Sequence, residues 1–478
     1  MRICLIAEGN YPYVAGGVSS WINMLIRSMP EHEFVIYAIG AFTKDKGKFK
    51  YEFPDNIVGI TEVFLDSLLD DKGRYNKKYR MNKDVHLAFR AFLTGRNFNW
   101  DSIFEFIMND KFKNISDFLM SKSFFDMLLR VYIKKYNQIP FTEFFWNMRS
   151  VLLPLFHVLK QSIPKADIYH SVSAGYAGVV GGLAKYINNK PFIVTEHGIY
   201  TREREEEIIK SDWLKSYFKS IWIEFFYSLS RCAYEHADKV VTLFNKNKEI
   251  EMELGCEEEK ILVIPNGVNL SKYGNLKKRD PNDKTFNVGA IIRMVPIKDI
   301  KTMLQSFAVV NKEIDKDKIK FYVMGPTEED EEYFEECKEF KEILELDNVV
   351  FTGRINIMDY LDTMDLLVLT SISEGQPLAV LEGMICKKAY VTTDVGSCKE
   401  LLYGVDDDYG KAGIVAPVMD YDRIGKSIIS LFMDEKRRKA MEQAAYKRVN
   451  ALYSLDIFID GYKKLYKDIY NEFNGKGI

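Results

Sequence analysis

Long hydrophobic runs are missing from this chain of 478 residues. Nowhere do about 18 apolar residues follow one another, as a membrane-crossing helix needs, and the apolar segment Ala174 to Ala184 is short and rich in glycine. The N-terminus has only Ile3 to Ala7 before Glu8, less than the apolar stretch of about 7–15 residues in a signal peptide, so the expectation is a cytoplasmic chain. Cysteine is scarce and scattered. Cys4, Cys232, Cys256, Cys337, Cys386 and Cys398 form no CxxC pair and no grouping with histidine at zinc-ligand spacing, which reads as buried thiols in a reducing compartment with no structural metal. Neither sign of charge is in excess: 66 basic against 69 acidic residues leave −3, no electrostatic footprint for nucleic acid. Also absent are a Gly-x-Ser-x-Gly elbow, a Walker loop and HExxH, and the first glycine loop reads AGGVSS rather than GxGxxG. Hydrolase, ATPase and dehydrogenase readings recede accordingly.

What is present is an ordinary globular composition, 47% hydrophobic and 28% charged, over a length that implies roughly two to four domains. Strand-like runs at Arg2–Ala7, Phe34–Ile39, Ile168–His170, Phe192–Thr195, Val240–Leu243 and Ile261–Ile264 are mostly separated by helix-length segments. That rhythm predicts a parallel, doubly wound α/β domain. Between about residues 65 and 160 it gives way to an aromatic, helical text that includes Phe98, Trp100, Phe104, Phe118, Phe124, Phe125, Phe144, Phe145 and Trp146. We read this as a helical insertion whose aromatics form core, with a lid or partner surface as the alternative. The polar stretch Leu270 to Lys284 reads as a linker. A second series of strands follows at Phe286–Ile292, Lys320–Met324, Val349–Thr352, Leu366–Leu369, Ala389–Thr392 and Gly413–Val415. The expected domains are 1–275 and 283–452, with an amphipathic final helix at 455–478 returning to the first.

In open parallel sheets ligands bind beyond the carboxyl ends of the strands, and three loops there carry candidate chemistry. Gly16 and Gly17 open a helix after the first strand and offer bare N–H groups to an anion, although two glycines equally suit a plain turn. Arg293 and Lys298 in RMVPIK form a diphosphate clamp on paper, or two solvated charges. In SEGQPLAVLEGM, Glu374 precedes a turn and Glu382 follows after seven intervening residues in a helix opened by Pro377. Carboxylates so placed suit the hydroxyls of ribose and sugar, or are a helix-start acid and a surface residue. His170 and His197 both end strands, within reach of a cleft. Asp406, Asp407 and Asp408 read as a solvated loop in preference to a cation site.

The glycine loop after strand one, IPNGV at 264–268, Arg293 with Lys298, Glu374-x7-Glu382 and TDVGSCKEL at 393–401 occur together in an order that resembles the retaining GT-B glycosyltransferases of family four. More closely, EGNYPYVAGGVSSW, HSVSAGYAG, EHGIYTRE, GPTEEDEEY and LTSISEGQPLAVLE resemble the glycosyltransferases of Pel exopolysaccharide synthesis. The resemblance implies two Rossmann-like domains facing across a cleft, a UDP-sugar donor, a growing polysaccharide as acceptor, no metal or other cofactor, and recruitment to a synthesis complex at the inner face of the membrane. Carried over by motif, Arg293 and Lys298 bind the diphosphate, Glu382 the ribose, and Glu374 with Gly375, Gln376 and Pro377 the sugar. Gly17 lets the first domain approach the phosphate, and Arg354 lies near the base. One departure stands out. Where many members have His-x-His and use the second, this chain reads His170-Ser171-Val172, so His170, His197 and Glu196 are alternatives for the residue nearest the sugar. The expected activity is retaining transfer of a hexose or N-acetylhexosamine. The alternatives are a non-catalytic nucleotide-sugar-sensing or scaffold subunit, and a nucleotide-sugar epimerase.

Overall fold

The structure, a computed structural model, describes residues 1–68, 79–109, 114–274, 276–280 and 282–475. Parts of the helical insertion expected at 65–160, two residues of the linker expected at 270–284 and the last three of the helix expected at 455–478 lie outside the described residues. Two units form. The first comprises Met1–Thr242, Asn247–Val263 and Lys463–Ile478, the second Leu243–Lys246 and Ile264–Tyr462.

In the first unit the strands are β1 (Arg2–Glu8), β2 (Glu33–Gly40), β3 (Ile57–Phe64), β4 (Ile168–Ser171), β5 (Phe192–Glu196), β6 (Lys239–Thr242) and β7 (Ile261–Val263). They pair in parallel in the order β3-β2-β1-β4-β5-β6-β7. β1 and β2 are almost continuous apolar runs because helices cover both faces of a parallel sheet, and every residue from Ile3 to Ala7 is buried. β3, IVGITEVF, escapes sequence reading: it is an edge strand, largely half-buried, and Gly59, Thr61 and Glu62 interrupt its apolar text.

The insertion between β3 and β4 is helical among its described residues: Lys83–Leu93, Asp101–Met108, Ile115–Leu119, Lys122–Val131 and Phe141–Leu159, with a π turn at Tyr132–Tyr136. Phe89, Phe104, Phe118, Phe124, Phe144 and Phe156 are completely buried and belong to the same apolar cluster as β1 and β2. Most of the aromatic text is thus core, as packing of such large surfaces favours.

In the second unit β8 (Phe286–Ile291), β9 (Ile319–Met324), β10 (Val349–Gly353), β11 (Leu366–Leu369), β12 (Ala389–Thr393) and β13 (Gly413–Ala416) pair in parallel in the order β10-β9-β8-β11-β12-β13. Both sheets are therefore doubly wound, and in each the strand order reverses beside its first strand, at β1/β4 and at β8/β11. These switch points are where a crevice opens beyond the carboxyl ends. The stretch expected to be a free linker is held on the second unit: Arg279 Nη1 donates to Asp365 Oδ2 at 2.7 Å and the Arg279 N–H to Asp362 Oδ2 at 3.1 Å. The passage between units lies earlier, at Val263–Ile264.

Asp407, expected in a solvated loop, instead accepts from Arg448 Nε at 2.8 Å and Nη2 at 2.7 Å. Arg448 is fully buried on the helix Glu435–Leu452, and its remaining N–H groups reach the carbonyls of Leu401, Leu402 and Gly410. A guanidinium without water must be bonded all round, and this loop supplies the acceptors.

Candidate functional site

At the β8/β11 switch point of the second unit a cavity of about 250 Å³ is lined by Arg293, Lys298, Gly325, Pro326, Glu374, Pro377 and Leu378, among others. β8 ends just before Arg293, and Pro296 sets a 3-10 turn that ends at Lys298. Asp299, in a left-handed conformation, then caps the helix Ile300–Glu313. Thr370, just past β11, donates to the Lys298 and Asp299 carbonyls, both at 3.1 Å, and so fixes that turn. Lys298 Nζ donates to Glu374 Oε1 at 2.5 Å, and Ser371 Oγ donates to the same oxygen at 2.5 Å. With side chains only 14% and 11% exposed, this pair is poorly screened. Arg293 is exposed at the mouth, where Nη1 meets Glu329 Oε2 at 2.7 Å.

The turn bearing Glu374 is held from behind by the later motif. Thr393 Oγ1 donates to the Ser371 carbonyl at 2.6 Å and the Ser397 N–H to the Gly375 carbonyl at 3.0 Å. Gly396, at φ +51°, brings its Cα so near that a Cβ would lie 2.1 Å from the Gly375 oxygen. Gly325 has the same role at the end of β9, where a Cβ would lie 1.9 Å from the Ile292 oxygen. From IPNGV, the Asn266 N–H donates to Gln376 Oε1 at 2.6 Å. Four of the separated motifs thus meet through these bonds. The helix Leu378–Ile385 starts at this wall, and its first turn carries no acidic residue.

Four expected residues do not line this cavity: Gly375 and Gln376, which lie between the lining residues Glu374 and Pro377, and Glu382 and Arg354, which stand farther off in the sequence. Glu382 does not line it; the carboxylate is half-buried on the helix Leu378–Ile385 and accepts from the Tyr273 hydroxyl, which burial and this carboxylate push well up from its ordinary value. Arg354 is exposed one residue beyond β10 and is likewise not among the lining residues.

The first unit has a cavity of about 430 Å³ at its own switch point, lined by Glu8, Val172, Tyr176, Glu196, His197, Tyr200, Glu203 and Arg204, among others. Three of the quoted motifs, EGNYPY, HSVSAGYAG and EHGIYTRE, converge there. Glu8 accepts from the Ala177 N–H at 3.0 Å and the Tyr200 hydroxyl at 3.2 Å, while burial raises its pKa. Sequence reasoning missed Glu8, whose signal was its position as the last residue of β1. The expectation for His170 is corrected by geometry. Its side chain is fully buried, with Nδ1 2.6 Å from the Tyr466 hydroxyl and Nε2 2.8 Å from Thr195 Oγ1, and it does not line the cavity. Val172 and His197 do line it. Burial, with His197 nearby, pushes His170 down to about 3, and burial pushes His197 down to about 4, so both rings are neutral at neutral pH. His197 Nε2 is a buried ring atom with no hydrogen-bond partner among the described residues, and Trp21 packs edge-on against the ring at 4.7 Å.

Gly16 caps the helix Gly17–Arg27 with no side-chain bond, and the first turn has no acid. A Cβ on either glycine would meet no atom within 4 Å, and neither has a positive φ. Packing within the chain therefore does not demand glycine at these positions.

In the wall of the first unit's cavity, Glu196 accepts from the Tyr234 hydroxyl and from the Tyr200 N–H at 3.1 Å. Glu251 is completely buried nearby, and burial together with the negative charge of Glu196 holds its carboxyl well above the usual glutamate range. A carboxyl whose pKa is raised by folding contributes stability below its unfolded value of 4.5, and this is lost as pH rises through the folded value. Glu251→Gln is therefore expected to gain thermal midpoint over the wild type as pH rises from about 6 to about 9. A constant difference across that range, read by thermal melts, would contradict the charge reading.

Residues 1–259 match the family described as Domain of unknown function (DUF3492), and residues 274–448 match Glycosyl transferases group 1. The chain is 29% identical over 252 residues to the N,N'-diacetylbacillosaminyl-diphospho-undecaprenol alpha-1,3-N-acetylgalactosaminyltransferase of Campylobacter jejuni, covering 50% of this chain and 62% of that one. It is 26% identical over 337 residues to the UDP-Gal:alpha-D-GlcNAc-diphosphoundecaprenol alpha-1,3-galactosyltransferase of Escherichia coli, covering 68% and 80%. Among solved structures, Anabaena HepE in complex with UDP superposes with a TM-score of 0.60 at 14% identity, covering 98% of this chain and all of that one. Sucrose-phosphate synthase from Thermosynechococcus elongatus gives 0.59 at 15%, covering 98% and 99%. At such identities the two structures establish the shared GT-B fold alone.

Proposed function

The chain belongs to the family described as Domain of unknown function (DUF3492), joined to a Glycosyl transferases group 1 domain, and from that premise we propose that it is a retaining glycosyltransferase. On this reading it moves a hexose or N-acetylhexosamine from a UDP-sugar to a growing Pel-type exopolysaccharide, without a metal. The observation that carries the proposal is the cavity of the second unit, where two cations, a helix N-terminus and a carboxylate line one crevice at the switch point. A diphosphate is met by Arg293, Lys298 and the first N–H groups of the helix Leu378–Ile385. Those cations supply the positive charge that a divalent ion would otherwise bring. Glu374, already an acceptor for Lys298 and Ser371, has lone pairs left for sugar hydroxyls. The UDP donor is supported by the UDP in the HepE complex and by the name of the Escherichia coli relative.

In the reaction the bond from the anomeric carbon to the diphosphate oxygen breaks with its electron pair leaving on the diphosphate. The acceptor hydroxyl oxygen then bonds to the same face of that carbon, and its proton passes to the departing oxygen. Arg293 and Lys298 stabilise the charge that grows there. Of the two histidines of the first unit, His197 rather than His170 is assigned to substrate contact, because His197 lines a cavity and its Nε2 has no hydrogen-bond partner among the described residues.

The test is thermal stabilisation by UDP, GDP and ADP with a chelator present, followed by UDP release from a panel of UDP-sugars with a glycan acceptor. A ligand that binds only the folded state raises its apparent stability by about 2.7 kcal/mol at a hundredfold excess over Kd. UDP alone is expected to stabilise the wild type, and the effect should weaken in Arg293→Ala, which removes one of the two cations lining the cavity. No response to any uridine nucleotide would overturn the donor assignment; binding without UDP release would return the chain to the sensing-subunit reading.

A further inference from the structure

The insertion carries a second feature that the donor site does not explain. A groove of about 550 Å³ in the first unit is lined by Leu87, Arg90, Ala91, Thr94, Arg96, Arg130, Val131, Lys134 and Lys135. Five of these nine are cations and none is an acid, in a protein whose net charge is −3. Leu87, Arg90, Ala91 and Thr94 recur at the i, i+3, i+4, i+7 spacing that places them on one face of the helix Lys83–Leu93 and its cap. Arg130 and Val131 end the helix Lys122–Val131, and Lys134 and Lys135 come from the π turn that continues it. Lys135 is occupied by Glu224 at 3.1 Å and the Thr94 carbonyl at 2.9 Å. The side chains of Arg90, Arg96, Arg130 and Lys134 make no hydrogen bond or ion pair among the described residues.

A neighbouring cavity of about 620 Å³ shares Arg96 and offers a contrast. Its other cations are engaged: Arg231 donates to Asn97 Oδ1 at 2.8 Å, and Lys260 reaches Glu257 at 3.4 Å. Unsatisfied positive charge is concentrated in the first groove. The apolar side chains beside it are uncovered, with Leu87 50% exposed on one wall and Ile133 62% exposed on the π turn between the cations.

We propose that this groove of the insertion binds the phosphate-bearing headgroups of an anionic lipid bilayer. Four unpaired cations attract phosphate, and Leu87 and Ile133 beside them meet the acyl boundary just beneath it, with the long Arg and Lys stems lying between. An acidic peptide would satisfy the charges and leave those apolar side chains in water, so the lipid is the better complement. No helix among the described residues is long and apolar enough to cross a membrane, and the contact proposed is peripheral. It is independent of the donor reading and stands or falls by its own measurement.

The full chain is sedimented with phosphatidylcholine vesicles that contain or lack phosphatidylglycerol, beside the triple variant Arg90→Ser, Arg130→Ser, Lys134→Ser. The expected result is binding that needs phosphatidylglycerol, is weakened by salt, and falls at least about tenfold in the triple variant, since each basic residue near the surface contributes about 1 kcal/mol. The thermal midpoint of the variant should match the wild type, because the three side chains have no partners to lose among the described residues. Inorganic phosphate or diphosphate should not displace the vesicles. Three outcomes would overturn the proposal: no vesicle binding, equal binding by the variant, or full displacement by free phosphate. Capture by poly-glutamate without vesicle binding would overturn it equally, in favour of an acidic protein partner.

Discussion

Lys298→Ala is expected to lower sugar transfer by about 10²–10³-fold while leaving the protein folded. If the diphosphate leaves from the second unit's cavity, its growing charge is met by this ammonium in a crevice where both partners of the Lys298–Glu374 pair are largely out of water. Removing one preorganised donor from such a site costs about 2.7–4 kcal/mol of transition-state stabilisation. Loss through misfolding is separable from loss of chemistry. Glu374 keeps the Ser371 hydroxyl, and the turn bearing it stays tied to Thr393 and Ser397. Lys298→Arg retains charge without the same reach and should sit between the two, because a guanidinium does not place its donors where an ammonium does. Single-turnover transfer beside a thermal melt decides the matter. If Lys298→Ala transferred within about threefold of the wild type, this assignment of the leaving-group site would be wrong.

Arg448→Met should have the largest effect on stability. The guanidinium is fully buried, takes Asp407 in a two-pronged pair, and donates to three backbone carbonyls. Methionine fills part of the volume and satisfies none of those acceptors, leaving a carboxylate and three carbonyls to find partners. Breaking a buried pair from one side costs about 3–5 kcal/mol, which for a domain of this size is a drop in unfolding midpoint of roughly 6–20 °C. Asp407→Asn should cost less, because it removes charge and keeps a hydrogen-bond acceptor. Arg448 also holds the Asp407 carboxyl below its ordinary value. That contribution is present above the unfolded aspartate value of 3.8 and is lost as pH falls through the folded one. Equal midpoints for Arg448→Met and wild type, measured by calorimetry, would refute the buried-pair account.

These two sites also mark where the sequence could and could not be read. Lys298 was visible because a cation just past a strand, followed by a helix, has few structural reasons to be there. Arg448 was invisible: in EKRRKAMEQAAYKRVNAL it is one of several cations on a polar helix, and nothing local distinguishes it and the likewise buried Arg438 from the exposed ones. Asp406 and Asp408 are exposed, as a solvated loop requires, but Asp407 departs from that reading for the same reason, since a loop's charge looks solvated until a partner 41 residues away is found. The histidines divide similarly. His170 lies within β4, whereas His197 is the first residue past β5 and so stands at the carboxyl ends of the strands, where a crevice opens. His170 turns inward to Tyr466 and Thr195, whereas Val172, two residues on and past the end of β4, and His197 line the cavity. Of the two imidazoles, the one that lines this cavity thus comes from the end of β5.

By itself the sequence determined the two doubly wound sheets, the helical insertion and the loops at the carboxyl ends of the strands. Those properties follow from local periodicity: continuous apolar runs buried on both faces, helix-length intervals, and glycine or proline at turns. Tertiary structure alone decided which charged groups are spent on one another and which are left for a ligand. Lys298 meets Glu374 across 76 residues and His170 meets Tyr466 across 296, whereas Arg90, Arg130 and Lys134 share one groove and meet no carboxylate among the described residues. Pairing of this kind is set by which strand ends and helix faces the topology brings together, and no periodicity in the chain encodes a contact at such separations.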